Sequence, residues 1–272
     1  MRLINVVPRR GTAVALAALP FAAVALAYGV FSAIRLAENP NDKLLPALST
    51  MVEAVRGLAF HADSRTGVFV FWADTGASLE RLLIALAVAT TAALVIGLIM
   101  GLLPLAGALL GPFVAVVSMA PPLALLPILF IVMGLGEASK ITLIVVGSLP
   151  FLIRDLALRV GELPKEQLLK AQTLGASSWQ IAIRVVLPQM LPRLIDAVRL
   201  SLGPAWLFLI AAEAIASDSG LGYRIFLMRR YLAMDVILPY VAWITFLAFL
   251  SDAALRRLQT RAFPWFAAAR AS

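Results

Sequence analysis

Six stretches of this chain, near residues 12–34, 82–103, 111–133, 141–158, 194–215 and 236–255, are apolar and almost free of charge. Each is long enough for the roughly 20 residues that an α-helix needs to cross about 30 Å of hydrocarbon. Within a bilayer the backbone has no water to bond, so such runs are confined to helices or closed barrels, and their length selects helices. The spacing predicts an all-α membrane protein with six transmembrane helices, forming one membrane domain over residues 1–272. With 62% hydrophobic and 14% charged residues, the composition excludes an ordinary globular core. The first run has a second reading as a signal peptide, because Arg9-Arg10 precede it and Ala25-Leu26-Ala27 resembles a small-residue cleavage site. Residues 11–34, however, stay uncharged for longer than an h-region of about 7–15 residues, so a retained first helix is expected.

A net charge of +8 and a pI near 10.6 would point a soluble chain toward nucleic acid. In a membrane protein the same excess reports orientation. With the N-terminus in the cytoplasm, 14 basic and 5 acidic residues fall inside, against 9 basic and 10 acidic outside. The inner set comprises Arg2, Arg9 and Arg10, the loop between the fourth and fifth spans, and the C-terminal segment. Both termini are therefore expected in the cytoplasm, with no nucleic-acid partner. Cysteine is absent and His61 is the single histidine, which excludes disulfides, thiolate metal sites and Cys–His nucleophiles. No catalytic residue and no metal site is expected.

Between the first two spans, Leu48, Met51, Val52, Val55, Leu58 and Ala59 recur at helical spacing opposite Glu53 and Arg56. They predict an amphipathic helix on the outer surface. Asp63-Ser-Arg-Thr-Gly67 reads as a turn, and Asp74 or Thr75 as the cap of the helix leading into the second span.

The most structured polar segment is residues 162–188, ELPKEQLLKAQTLGASSWQIAIRVVLP. Pro164 suits a helix start, and Gly175 suits the left-handed residue that ends one. Ser177-Ser-Trp-Gln180 fits a capping box, from which a second helix runs to a stop at Leu187-Pro188. Leu168, Ala171 and Leu174 share one face, and Trp179, Ile183 and Val186 the next. From spacing alone this hairpin is either an interfacial helix pair lying on lipid or a docking element for a soluble partner.

The segment resembles the EAA loop of the permease subunits of bacterial ABC importers. Ala171, Gly175, Leu187 and Pro188 match that pattern, Val185 replaces its isoleucine, and Leu169-Lys170 replace the leading Glu-Ala. Ala211-Ala-Glu213 through Ser219-Gly-Leu-Gly-Tyr223, Pro121-Pro122 with Pro127, and Met133-Gly-Leu-Gly-Glu-Ala-Ser-Lys140 are similar to the nitrate, sulfonate, taurine and bicarbonate group of those importers. The likeness spans roughly residues 75–260; the loop at 103–111 departs from it by carrying no charge.

The resemblance implies a multi-pass permease of the bacterial inner membrane whose coupling loop, residues 159–193, sits in a cleft of an ATPase. The coupling residues would be Lys170, Ala171, Gly175, Ala176, Trp179, Leu187 and Pro188. Implied partners are two ATPase subunits, a second permease copy in a homodimer, a periplasmic solute-binding protein and membrane lipid. ATP and magnesium would belong to the ATPase, since the nearest approach to a P-loop here, residues 134–142, has Ser139 where the glycine before the lysine belongs. The implied solute is nitrate, a sulfonate such as taurine, bicarbonate, or a small nitrogen compound of the urea or guanidine type.

Ionisable groups and helix breakers at membrane depth are the pathway candidates. Glu213 reads as a structural, gating or substrate-contacting group, and Trp206 as a lining residue. Pro121, Pro122 and Pro127 must bend or break the third span. Asp196 and Arg199 read as a one-turn ion pair. Ser219, Gly220, Gly222 and Tyr223 read either as part of a binding-protein docking surface or as an ordinary connector. A self-contained secondary transporter is the alternative, but such proteins commonly carry paired repeats and buried ion ligands, and neither is evident in the sequence.

Overall fold

The computed structural model describes residues 8–271, apart from Asn41 and Arg65. Arg2 of the charge count and Arg65 of the expected turn lie outside the described residues. The described chain is helical throughout, with α1 (Arg10–Glu38), α2 (Leu48–Phe60), α3 (Val70–Leu102), α4 (Pro104–Val117), α5 (Pro122–Met133) and α6 (Glu137–Gly161). There follow α7 (Lys165–Thr173), α8 (Ser178–Ile181), α9 (Leu187–Ala216), α10 (Leu221–Arg229), α11 (Met234–Ala262) and α12 (Pro264–Ala271). Five helical stretches are long and apolar enough to cross a membrane, or six if the bent pair α4 and α5 makes one crossing.

The core is built on α3, α6 and α9. Ala85, Ala89, Ala93, Gly97 and Gly101 recur every fourth residue on α3, which makes one helix face nearly flat. A Cβ at Gly97 would meet Leu156, and one at Gly101 would stand 2.5 Å from the Cβ of Val160. The two helices run parallel, and their backbones approach as closely as small residues permit. The antiparallel α9 fills the third side, and α11 packs beside it.

Apolar contacts form three layers along this bundle. Leu82, Leu143, Trp206 and Leu209 lie at the α10 end, Ala93, Leu152 and Ala197 at the middle, and Leu156, Val160, Val186 and Met190 at the α7–α8 end.

One local expectation is met and two are corrected. The run at 111–133 breaks at Pro121-Pro122 as expected: α4 and α5 meet at 92°. Ser118 ends α4, Pro121 is the N-cap of α5, and Pro122 occupies its first turn, where a missing N–H costs nothing. Asp74 and Thr75 are not caps, because α3 already begins at Val70; both are buried one turn inside it. Leu187-Pro188 is not a stop either. The chain continues into α9 through a π-helical turn, Ala182–Val186, in which the Leu187 amide donates to the carbonyl of Ala182. The wider turn makes room for the proline ring that an unbroken α-helix would exclude.

The surface helix α2 forms as expected. Val55, Leu58 and Ala59 pack against the bundle, whereas Leu48 and Val52 stay uncovered. The turn after it closes through the Gly67 amide, which donates to the carbonyl of Asp63 at 2.7 Å. Among the described residues of α1, Ser32 is the buried one. Its hydroxyl donates to the carbonyl of Leu45 at 2.9 Å, and Tyr28 donates to that of Pro46 at 2.7 Å. Arg35 pairs with Asp42 and, by hydrogen bonding, holds that carboxyl below its usual range. These bonds tie α1 to the connector before α2.

Candidate functional site

At one end of the bundle the hairpin is built from two complementary caps. The last residue of α7 is Thr173, and Gly175 follows with φ of +82°. The Gly175 amide donates to the carbonyl of Gln172 at 2.9 Å and the Ala176 amide to that of Ala171 at 3.0 Å, which together make a Schellman motif. Ser177 at once starts α8. Its hydroxyl accepts from the Gln180 amide at 3.3 Å, and the Gln180 side chain accepts from the Ser177 amide at 2.9 Å. The reciprocal capping leaves little freedom at the corner.

The hairpin is also seated. Leu168, Ala171 and Ala176 pack onto Leu156, Val160, Leu163, Ile181 and Met190, so its underside is continuous with the last layer of α6 and α9. The expected faces are partly revised. Leu168 and Ala171 point inward, but Leu174 is 86% exposed and Trp179 74%. Val186 turns inward with the π-helical turn. Lys170, Gly175 and Pro188 are exposed, while Ala176 and Leu187 are half-buried. The outer surface of the hairpin therefore carries apolar knobs beside Lys165, Glu166 and Lys170, a composition suited to a protein partner. Between the hairpin and α3 lies an apolar cavity of about 510 Å³, lined by Leu98, Leu102, Leu168, Trp179 and Ile183.

At the opposite end a buried ionic cluster joins α3, α6, α9, α10 and α11. Glu213 is fully buried. Its carboxylate accepts from Ser78 at 2.8 Å, from Arg81 Nη1 at 2.7 Å and from the Gly222 amide at 2.8 Å. Arg81 also donates to Glu137 and to the carbonyl of Ser219, and Lys140 donates to Glu137 and Ser217. One turn along α3, Asp74 accepts from the Gly220 amide at 2.9 Å, from Arg224 at 2.8 Å and from the Tyr240 hydroxyl at 3.3 Å. Three carboxylates thus face three cations, with Glu137 exposed at the rim, which offsets the cost of desolvating the buried members.

The glycines belong to this cluster. Gly220 has φ of +122°, and a Cβ there would stand 2.5 Å from the Glu213 carboxylate. A Cβ on Gly222 would reach the carbonyl of Ile210 at 2.7 Å. Gly220 and Gly222 are therefore buried and turn their amides inward, rather than lying on an outer docking face. Ser219 and Tyr223 are half-buried beside them.

Glu213 is occupied by protein donors, and Trp206 sits inside the packed layer with Leu82 and Leu209, its indole N–H without a partner among the described atoms. Pro121 is exposed and Pro122 half-buried at the break between α4 and α5, whereas Pro127 is exposed inside α5. The sequence reading took Asp74 for a cap and missed Ser78, Arg81 and Arg224. The available signal was the spacing of Asp74, Ser78 and Arg81, which stacks three polar groups on one face of a helix entering the membrane.

Toward the hairpin end, Arg199 bridges Asp196 at 3.2 Å and Asp252 at 2.7 Å, so the expected one-turn pair also joins α9 to α11.

Known proteins align with this architecture. The taurine transport system permease protein TauC of Escherichia coli (strain K12) is 38% identical over 194 residues, covering 71% of this chain and 70% of its own. The nitrate import permease protein NrtB of Synechococcus elongatus is 28% identical over 148 residues, covering 54% of this chain and 53% of its own. Among solved structures, an inward-facing form of the MetNI methionine ABC transporter superposes with a TM-score of 0.57 at 21% identity. It covers 70% of this chain and 96% of that one, which establishes the shared fold. Residues 93–265, from within α3 to the start of α12, match the binding-protein-dependent transport system inner membrane component family, and the chain belongs to that family.

Proposed function

We propose that the chain is the membrane-spanning subunit of an ATP-driven importer and that the α7–α8 hairpin is the element through which an ATPase subunit moves it. The observation that carries this reading is the seating of a doubly capped hairpin on α6 and α9, with Leu174 and Trp179 left uncovered on its outer side. Force applied to such a corner passes into two core helices instead of being lost in a loop. The hairpin faces the cytoplasm together with both termini, and the α10 end faces the compartment from which a solute-binding protein delivers cargo. ATP and magnesium are held by the partner.

A second copy of the chain completes the pathway. Leu105, Leu109, Phe113 and Val116 lie uncovered along α4, and this face is where the copies meet about a two-fold axis. The solute is a small molecule bearing an oxyanion, as the taurine and nitrate permeases named above suggest.

The test is a pull-down of the tagged chain from its native membrane, comparing wild type with the Leu174→Glu, Trp179→Glu double variant. Both side chains are mostly exposed and lie outside the six apolar stretches, so the variant is expected to insert normally. Wild type brings down an ATPase and a binding protein, and the variant loses the ATPase by about tenfold or more, as expected when two apolar anchors are removed. If the wild-type chain purifies alone and moves solute under an ion gradient, the secondary-transporter alternative takes its place.

A further inference from the structure

The break between α4 and α5 places a cation where the membrane domain is least regular. A cavity of about 350 Å³ opens there, lined by Ser118, Gly147, Pro150, Phe151, Arg154 and Leu158. That volume falls in the range of about 300–1,000 Å³ typical of small-ligand sites. Ser118 ends α4, and its hydroxyl donates to the carbonyl of Ala115 at 2.7 Å. Its lone pairs are then free to accept, and Arg154 Nη1 donates to it at 2.8 Å.

Arg154 lies seven residues before the end of α6, or about 10 Å along the helix axis. It stands four residues before the end of the apolar run at 141–158, on the hairpin side of the bundle. The neighbouring acid, Asp155, also lines the cavity, but Arg159 claims it at 2.7 Å. No ion pair to Arg154 occurs among the described residues, and a neutral hydroxyl satisfies only one of its five N–H donors. The side chain is exposed at the bend, on an apolar wall formed by Phe151 and Leu158. A planar fork of donors held by one serine and facing a cavity is suited to bind two oxygens of one anion.

The geometry points to Arg154, positioned by Ser118, as a contact for the oxyanion of the travelling solute at the break in the pathway. This rests on the importer reading and adds to it the residue that would meet the oxyanion proposed there for the solute. The same fork would also take a lipid phosphate, so the test separates the two sources.

The complex of this chain with its ATPase and binding protein is reconstituted in vesicles of phosphatidylcholine alone and in vesicles that also contain phosphatidylglycerol. ATP-driven uptake of labelled taurine, nitrate, urea and guanidinium is measured beside ATP hydrolysis for wild type, Arg154→Gln, Arg154→Lys and Ser118→Ala. The assignment predicts uptake of an anionic probe reduced about tenfold or more by Arg154→Gln in both vesicle types, the loss expected for one charge-assisted contact. Hydrolysis stimulated by the binding protein continues, so more ATP is spent per solute moved. Arg154→Lys keeps part of the uptake, and Ser118→Ala falls between it and wild type.

Equal uptake by wild type and Arg154→Gln overturns the assignment, as does a parallel loss of hydrolysis and uptake that Arg154→Lys does not relieve. A deficit seen only with phosphatidylglycerol assigns the fork to a headgroup and also overturns it. A wild-type complex that moves none of the four probes with ATP counts instead against the importer reading.

Discussion

Glu213 sits where the cost of burying a carboxylate is met by specific neighbours. Ser78, Arg81 and the Gly222 amide all donate to it, and Gly220 passes so close that no side chain fits between them. Removing the carboxylate leaves Arg81 without one of its two acidic partners in a nearly dry site. Glu213→Ala is therefore expected to destabilise the protein by about 3–5 kcal/mol, the usual result of breaking a buried pair on one side. Gly220→Ala should act in the same direction, because its Cβ both meets the carboxylate and requires a backbone conformation that L-residues avoid. Thermal unfolding of the purified chain in detergent checks both. A melting temperature unchanged from wild type in either variant would show that the cluster does not hold α10 in place.

The sequence made Glu213 visible as a charge in an apolar run. It did not reveal the partners, because Ser78 and Arg81 are 135 and 132 residues away and only the folded bundle brings them together.

At the scale of elements, legibility follows how local the determinants are. The hairpin corner was legible because Gly175, Ser177 and Gln180 act within a few residues of one another. The continuation past Pro188 was not. A proline reads as a stop, yet the π-helical turn before it absorbs the clash, and the Gln189 side chain donates to the carbonyl of Val185 at 2.8 Å. The start of α3 was misplaced for a related reason: Asp74 and Thr75 resemble caps, but tertiary partners on α10 and α11 claim them.

The parallel packing of α3 on α6 depends on a stripe of small residues that composition alone does not distinguish from other apolar helix faces. Gly101→Leu should force the two helices apart at Val160 and cost about 1–3 kcal/mol, the range for overpacking a filled interior. Gly111→Leu is the control, since nothing lies within 4 Å of a Cβ there. The two variants compared by thermal unfolding separate crowding from added bulk, and equal melting temperatures would remove the stripe from the account.

On the scale of the whole molecule, the two ends have different chemistry and are joined by α6 and α9. The α10 end is clamped by three carboxylates and three cations, whereas the opposite end presents a capped corner with uncovered apolar side chains. The core helices α6 and α9 run from one to the other, so the proposal that an ATPase moves the hairpin predicts that the clamp moves with it. The break between α4 and α5 lies outside these two helices.

Because the chain contains no cysteine, one introduced thiol is a unique address. The direct test places it at the exposed corner, as Trp179→Cys, and follows crosslinking in native membranes with a short bifunctional reagent during ATP turnover. The account predicts one dominant adduct with an ATP-hydrolysing subunit, its yield changing when a non-hydrolysable nucleotide is supplied. A thiol that crosslinks to no protein, while the membranes still take up solute, would contradict the claim that this hairpin is where the energy enters.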